Sequence, residues 1–338
     1  MNTKTNIFFH ATKELSTDAF IVWLIYFLDS DDKYVEYKQA FFDNLILKEI
    51  DRGRIINKIE LKRQENNVDV ILQFCFDDKD EKQTVLFEDK IYTTQHSNQL
   101  EKYMNLYPNS YRFFYYKLGY INSQEESEIK NRKFEIVDAN MMASSIQNMI
   151  DLHPLIKMYY EYIKYSFTDS INSFHQKLFV ENDYNVLRSA DAQKYLCDII
   201  TENMRKQKFN YIEIRNGTSY GRPWTQIDIA IKTDGYWECL FWRVDIRAGK
   251  FYIRLNQYAE PSKEELEYKN QRLYELRKEA NIMLQTMPDL NLGKVTSGLN
   301  KQESEVMIFF LKDNDINKVI EALPKISQHM VSVFNSLK

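Results

Sequence analysis

Two stretches decide how this chain folds: Val68-Asp69-Val70-Ile71-Leu72-Gln73-Phe74 and Thr84-Val85-Leu86-Phe87-Glu88-Asp89-Lys90. Both are rich in β-branched and aromatic residues, and both read as strands, at about 67–77 and 83–92. A third candidate precedes them at about 54–63, and the short polar separators at 64–66 and 77–82 predict an antiparallel meander. Charged residues interrupt both apolar runs. Side chains alternate across a strand, so Glu88 and Lys90 share one face while Asp89 takes the other. Asp69 on the neighbouring strand lies beside Glu88 if the register allows.

Outward from the meander, apolar residues at three- and four-residue spacing predict a helix over 12–29, with Phe20, Leu24 and Phe27 on its inner side. A second helix is expected at 35–48, a third at 95–106, strands at 111–118 and 133–137, and a mainly helical stretch at 141–167. The second half alternates again. It carries a helix at 190–207, strands at 209–215, 225–232, 236–246 and 250–257, a charged helix at 262–284, a strand at 306–311 and a closing helix at 316–337. The Gly/Asn/Ser-rich piece 288–300 reads as the loop most free to move. The expected fold class is α/β (mixed α+β): a mixed sheet flanked by helices in residues 1–150, and an α+β accessory domain in 151–338 for substrate or partner recognition.

Composition excludes several classes. Glycine and proline together number 8 + 6 = 14 of 338 residues, so turns are scarce and long ordered elements are favoured. A formal charge of −4 argues against indiscriminate coating of nucleic acid, though not against a local basic groove. Cys75, Cys197 and Cys239 are odd in number and far apart, which suits a reducing compartment better than a disulfide framework. The apolar run 19–28 is too short to span a bilayer, and its acidic flanks do not suit a signal peptide, so a cytoplasmic protein is expected. No GxGxxG, Walker-type loop, HExxH or GxSxG motif is present, and the five histidines show no metal spacing.

The chemistry concentrates in the meander. Two carboxylates, Asp69 and Glu88, and one ammonium, Lys90, would meet at one end of an apolar sheet, where unpaired charges carry a large desolvation cost. A divalent cation relieves that cost. Hard oxygen ligands suit magnesium (Mg2+), or manganese, which keeps waters and takes substrate phosphate. Lys90 can orient or deprotonate an attacking water. The implied reaction is metal-assisted hydrolysis of a phosphodiester. The plain alternative is a surface salt bridge on a strand, which is common and nearly neutral in energy.

The order Asp69-x18-Glu88-x-Lys90, followed on a helix by Gln99-Leu100-Glu101-Lys102-Tyr103, resembles the PD-(D/E)XK nuclease superfamily, and the Gln-x3-Tyr addition resembles its RecB-like branch. The opening Glu14-Leu15-Ser16-Thr17-Asp18-Ala19-Phe20 resembles the start of an uncharacterised bacterial group within it. The resemblance covers about residues 10–140, and Val68 stands where the family name has proline. It implies a restriction-endonuclease-like fold and a magnesium-dependent nuclease. Asp69 and Glu88 would be the metal ligands, aided by the backbone carbonyl of Asp89. Lys90 would position the water or stabilise phosphate charge, Gln99 would orient the lysine or a phosphate, and Glu14 would be an outer or additional ligand. Tyr103 and the adjacent Lys102 would contact nucleic acid, with DNA favoured. Core packing remains the competing account of Tyr103, and His96 reads as an exposed residue at a helix start.

In the second half, Tyr220-Gly221-Arg222-Pro223-Trp224 and 251–258 combine aromatic and basic residues in the manner of a nucleic-acid stacking platform, or of a sheet core with solvated arginines. Asp228 and Asp245 hint at a second nuclease-like unit, but Glu238-Cys239-Leu240 lacks the lysine. The interleaved charges of 262–284 suit a solvated face, a homo-oligomer contact or a protein partner. The second functional expectation is a catalytically silent binder of nucleic acid or protein in a bacterial defence or counter-defence system.

Overall fold

The computed structural model describes residues 3–11, 14–92, 98–233, 237–247, 249–260, 263–295, 297–299 and 301–337, without the side chains of 263 and 264. The chain divides into two compact units, residues 1–172 and 173–338. The division falls later than the one expected after residue 150 because Ile156, Tyr159 and Ile163 are buried in the core of the first unit. Each unit is a five-stranded sheet flanked by helices, so the chain is mixed α/β.

The first unit runs α1 (Glu14–Asp29), α2 (Val35–Phe41), β1 (Ile56–Glu65), β2 (Val68–Phe76), β3 (Lys82–Lys90), α3 (Gln99–Leu106), β4 (Arg112–Lys117), α4 (Ser123–Asn131), β5 (Glu135–Asp138), α5 (Ala139–Ile146), α6 (Pro154–Ile163) and the short α7 (Asp169–Asn172). Its sheet has the order β1-β2-β3-β4-β5. The first three strands form the expected antiparallel meander, and β4 and β5 add in parallel through the crossovers that carry α3 and α4. The β1–β2 hairpin closes on Asn66 and Asn67, both with left-handed backbone (φ 55° and 65°), the geometry that two-residue turns require and asparagine tolerates. Val70, Leu72, Phe87 and Tyr116 line one face beneath α1, whose Phe20, Ile21, Leu24 and Ile25 are buried there. Ile71, Leu86 and Tyr115 line the other, against Leu100 and Tyr103 of α3 and Ile129 of α4.

Three local readings are corrected. The helix expected over 35–48 ends at Phe41 and widens into a π turn, Phe42–Ile46, which buries Phe42, Leu45 and Ile46. α4 has no sequence counterpart above because its only buried residues are Glu125 and Ile129, too few for an apolar stripe, although Asn122 caps it by accepting from the Glu125 N–H at 2.8 Å. The strand expected at 209–215 begins only at Glu213, since Phe209 still closes the preceding helix onto the Met204 carbonyl.

The second unit contains α8 (Ala190–Lys206), β6 (Glu213–Ser219), β7 (Arg222–Lys232), β8 (Glu238–Arg247), β9 (Lys250–Ala259), α9 (Lys263–Gln285), β10 (Glu303–Phe310) and α10 (Ile316–Ser336). Its sheet is antiparallel throughout, in the order β10-β9-β8-β7-β6. Helices α8 and α10 contact β7, and the Trp242 indole of β8 donates to Ser327 of α10 at 2.8 Å. The piece 288–300, read as a mobile loop, is tied down where it is described. Gly293 donates to the Ile308 carbonyl at 2.8 Å, and Ser297 exchanges hydrogen bonds with Glu305 and Arg277. Among the described residues no helix is long and apolar enough to cross a membrane.

Gly293 is chosen for space. A Cβ there would sit 2.4 Å from the Phe310 ring, whereas one at Gly298 would meet nothing within 4 Å. Gly293→Ala is therefore expected to lower stability by about 1–3 kcal/mol in urea denaturation, the usual cost of overpacking. Gly298→Ala should leave the midpoint essentially unchanged.

Candidate active site

The pairing of Val70 with Phe87 sets the geometry: one step further along the ladder, Asp69 stands beside Glu88 on the same face. Two contacts hold Asp69. Its Oδ2 accepts from the Asp89 backbone N–H at 2.8 Å, and its Oδ1 accepts from the Gln64 side chain at 2.9 Å. Glu88 is fully buried, with Oε1 ion-paired to Lys90 and Oε2 buried without a hydrogen-bond partner. Burial, and then the charge of Asp69, push the Glu88 carboxyl up to about 7, against the opposing pull of Lys90 and Tyr103. The Lys90 ammonium also donates to the Asp89 carbonyl at 3.0 Å. Burial draws the Lys90 pKa down, but Glu88, Asp69 and Glu14 outweigh it and leave the ammonium above its ordinary value. Lys90 thus stays protonated, which suits a positioning or charge-stabilising role and not removal of a proton from water.

The remaining predicted residues fall at different distances from this centre. Glu14, at the first turn of α1, accepts from the Ile91 N–H at 3.3 Å, just beyond Lys90. Gln99 donates to the Tyr103 hydroxyl at 2.6 Å, and that hydroxyl donates in turn to the Asn67 carbonyl and lies against Glu88. Tyr103 is therefore a core residue and a neighbour of the carboxylate at once. Lys102 is exposed on the outer side of α3 and does not join the cluster. His96 lies outside the described residues. The side chain of Asp89 does not join Glu88 either. It is fully buried on the opposite face, as strand alternation requires, leaving its backbone carbonyl as its contribution beside Lys90.

Asp18, which sequence reasoning counted only among the acidic flanks of α1, is part of the site. It is buried one helical turn after Glu14, next to Asp89, and Gln64 links it to Asp69 at 3.5 Å. Neither oxygen of Asp89, nor Oδ1 of Asp18, meets a hydrogen-bond donor. Two ionised carboxylates in this setting repel at low dielectric, which disfavours the charged form of each. Burial first, then the charges of Asp18 and Asp69, raise the Asp89 carboxyl well above the usual range. Burial and Asp69 raise Asp18 to about 7. Its i, i+4 spacing from Glu14 was the signal available in the sequence.

Beside this cluster the parallel register sets Tyr115 next to Glu88 and Lys117 next to Lys90. Lys117 is fully buried and donates to Glu125 at 3.1 Å, and the Tyr115 hydroxyl donates to the same oxygen at 2.9 Å. Glu125 arrives on α4, which explains why neither residue stood out in the sequence. In the second unit Asp228 pairs with Arg215, Asp245 with Arg254 at 3.4 Å, and Glu238 with Arg272 at 2.9 Å. Those carboxylates are neutralised separately and assemble no second centre.

Among the described residues no group of three or more His, Cys, Asp or Glu side chains is arranged to hold a metal ion. The protein ligands available at the centre are two, Asp69 and Glu88. Magnesium is commonly held by one or two carboxylates plus waters, and the partnerless buried Oε2 of Glu88 is an oxygen such an ion would satisfy. The donor chemistry therefore fits magnesium. No protein-family model, curated protein or solved structure matches the chain.

The raised carboxyls fix the pH dependence of stability. Asp18 ionises near 3.8 when unfolded and near 7 when folded, so the native state binds more protons in between and loses stability as pH rises across that window. Asp18→Asn removes the loss. Its melting temperature should exceed the wild type's at about pH 8 and converge on it at about pH 4, with about 2–4 °C gained per kcal/mol recovered. Equal offsets at both pH values would contradict the raised Asp18 carboxyl.

Proposed function

We propose that residues 1–172 form a magnesium-dependent nuclease of the PD-(D/E)XK kind, with DNA as the favoured substrate. The observation that carries the reading is the convergence of Asp69, Glu88 and Lys90 at one end of a buried sheet, with Glu88 pushed up to about 7. Perturbed carboxylates beside a fixed ammonium are characteristic of sites that do chemistry, since a purely structural core has no reason to bear their cost. The order in which helix, meander and second helix deliver Glu14, Asp69, Glu88, Lys90, Gln99 and Tyr103 supports the same family.

In this reading Asp69 and Glu88 hold the cation, with Asp69 kept in place by Gln64 and the Asp89 N–H. Bound magnesium would supply positive charge to the phosphate and acidify a coordinated water. Lys90, kept protonated by Glu88 and anchored to the Asp89 carbonyl, orients the nucleophile or balances charge on the phosphate. Gln99 and Tyr103 fix the Asn67 turn and the wall beside Glu88. A second reading, binding without cleavage, draws on the direct Lys90–Glu88 ion pair, which occupies one of the two Glu88 oxygens.

Cleavage of linear, circular and single-stranded DNA and of RNA, with magnesium or manganese, separates the two. Wild-type cutting that falls by on the order of 100-fold or more in Glu88→Gln and Lys90→Ala, with both variants folded, is the expected result. Metal-dependent cutting retained in both variants would sink the nuclease assignment, and nucleic-acid affinity without turnover would favour the binder.

Metal affinity carries its own signature. Glu88 must lose its proton to ligate, so magnesium affinity, read by calorimetry, should rise with pH up to about 7 and level off above it. An affinity flat across that window would remove Glu88 from the ligand set.

A further inference from the structure

The second unit has a cleft of about 400 Å³ on the face of its sheet, lined by Arg215, Trp224, Trp237, Phe241, Arg243 and Tyr258 among others. This face is built differently from the one that α8 and α10 cover. Trp224 pairs with Gly217 across the β6–β7 ladder, and a Cβ at Gly217 would come within 2.6 Å of the indole. The missing side chain is what lets the ring lie against the neighbouring strand. Arg243 is clamped beside it, its guanidinium 4.7 Å from the Trp224 ring and 4.9 Å from the Phe241 ring. Trp237 and Tyr258 meet edge to face at 5.5 Å, and the Tyr258 hydroxyl donates to Glu260 at 2.7 Å.

The electrostatics of the cleft select among ligands. Arg243 already donates to both oxygens of Glu303, at 2.7 and 2.8 Å, and to Gln226 at 2.7 Å. Arg215 is paired with Asp228 and Glu213. A bare phosphate would have to displace those partners, so an anion is not what the site favours. What it offers is partly exposed aromatic surface at Trp224, Trp237 and Tyr258, over a floor of buried Phe241 covered by Arg243 and rimmed by polar groups. That is the environment in which a flat, uncharged, hydrogen-bonding ring is held, and every nucleobase is such a ring.

We infer that this cleft binds a nucleobase by stacking, the base being presented by a single strand or as a free nucleoside. The inference does not rest on the nuclease reading, because it concerns different residues in a different unit and needs no metal. It gives Trp224, Trp237, Phe241 and Tyr258 a role as a base platform and leaves the nearby arginines as struts.

The test uses the full chain in EDTA, so that no cleavage intervenes. Tryptophan fluorescence is followed while adding each of four nucleosides, short single-stranded homopolymers, an abasic oligonucleotide of equal length, or inorganic phosphate. The base-bearing probes should quench and the abasic strand and phosphate should not. Nucleosides acting alone would identify a free ligand, and strands binding more tightly than nucleosides would identify nucleic acid. Trp237→Ala and Tyr258→Ala, checked for an unchanged melting curve, should each weaken binding on the order of tenfold, the usual loss for one stacking ring. Equal binding of abasic and base-bearing strands, unchanged affinity in both folded alanine variants, or no binding of any base would each overturn the proposal. Cleavage by Glu88→Gln is scored separately, so failure here leaves the nuclease reading standing, and failure of that reading leaves this one.

Discussion

The structure of the first unit depends on how three consecutive charges, Glu88, Asp89 and Lys90, are accommodated at the buried end of β3. A strand sends them to alternating sides, so neither face of the sheet escapes. On one side Glu88 and Lys90 neutralise each other and are bordered by Asp69, Tyr103 and Tyr115. On the other, Asp89 is met by Asp18, and burial together with that neighbour raises its carboxyl well above the usual range. Removing either member of the Glu88–Lys90 pair leaves the other's buried charge without that counter-charge, which costs more than the net worth of the pair.

Topology concentrates these groups. The antiparallel meander returns Asp69 to the side of Glu88, and the parallel crossover through α3 places Lys117 next to Lys90. α1 crosses the same end, bringing Glu14 to Ile91 and Asp18 to Asp89. Residues spread over a hundred positions therefore meet at one sheet edge, with their orientations fixed by backbone groups: the Asp89 N–H on Asp69, the Asp89 carbonyl on Lys90, the Asn67 carbonyl on Tyr103. Backbone anchors are stiff, and that stiffness is what a site needs if it is to hold charge in place before a substrate arrives.

The second unit handles charge in the opposite manner. Its carboxylates and arginines are interleaved across the sheet, Glu303 being shared by Arg243 and Arg254, and Arg254 also reaching Asp245. Among its described residues the carboxylates Asp228, Glu238 and Asp245 each stand against an arginine, unlike Asp18 beside Asp89. The cleft on its sheet therefore combines arginines that already have carboxylate or amide partners with the partly exposed rings of Trp224, Trp237 and Tyr258.

By itself the sequence determined the elements and their local logic. Period-two alternation placed Glu88 and Lys90 together and Asp89 opposite, and short polar separators dictated the meander, because both depend only on neighbouring residues. It also marked Gln99 and Tyr103 as one helical face. Only the tertiary structure decided that Asp18 joins the carboxylate cluster, that Lys102 stays exposed outside it, and that Lys117 and Glu125 form a second buried pair, since each depends on which helix packs over which strand. The protonation of Lys90 was likewise beyond the sequence. A lysine's charge state is set by the balance of burial against the carboxylates around it, and that balance exists only once Asp69, Glu88 and Glu14 have been brought to the same sheet edge.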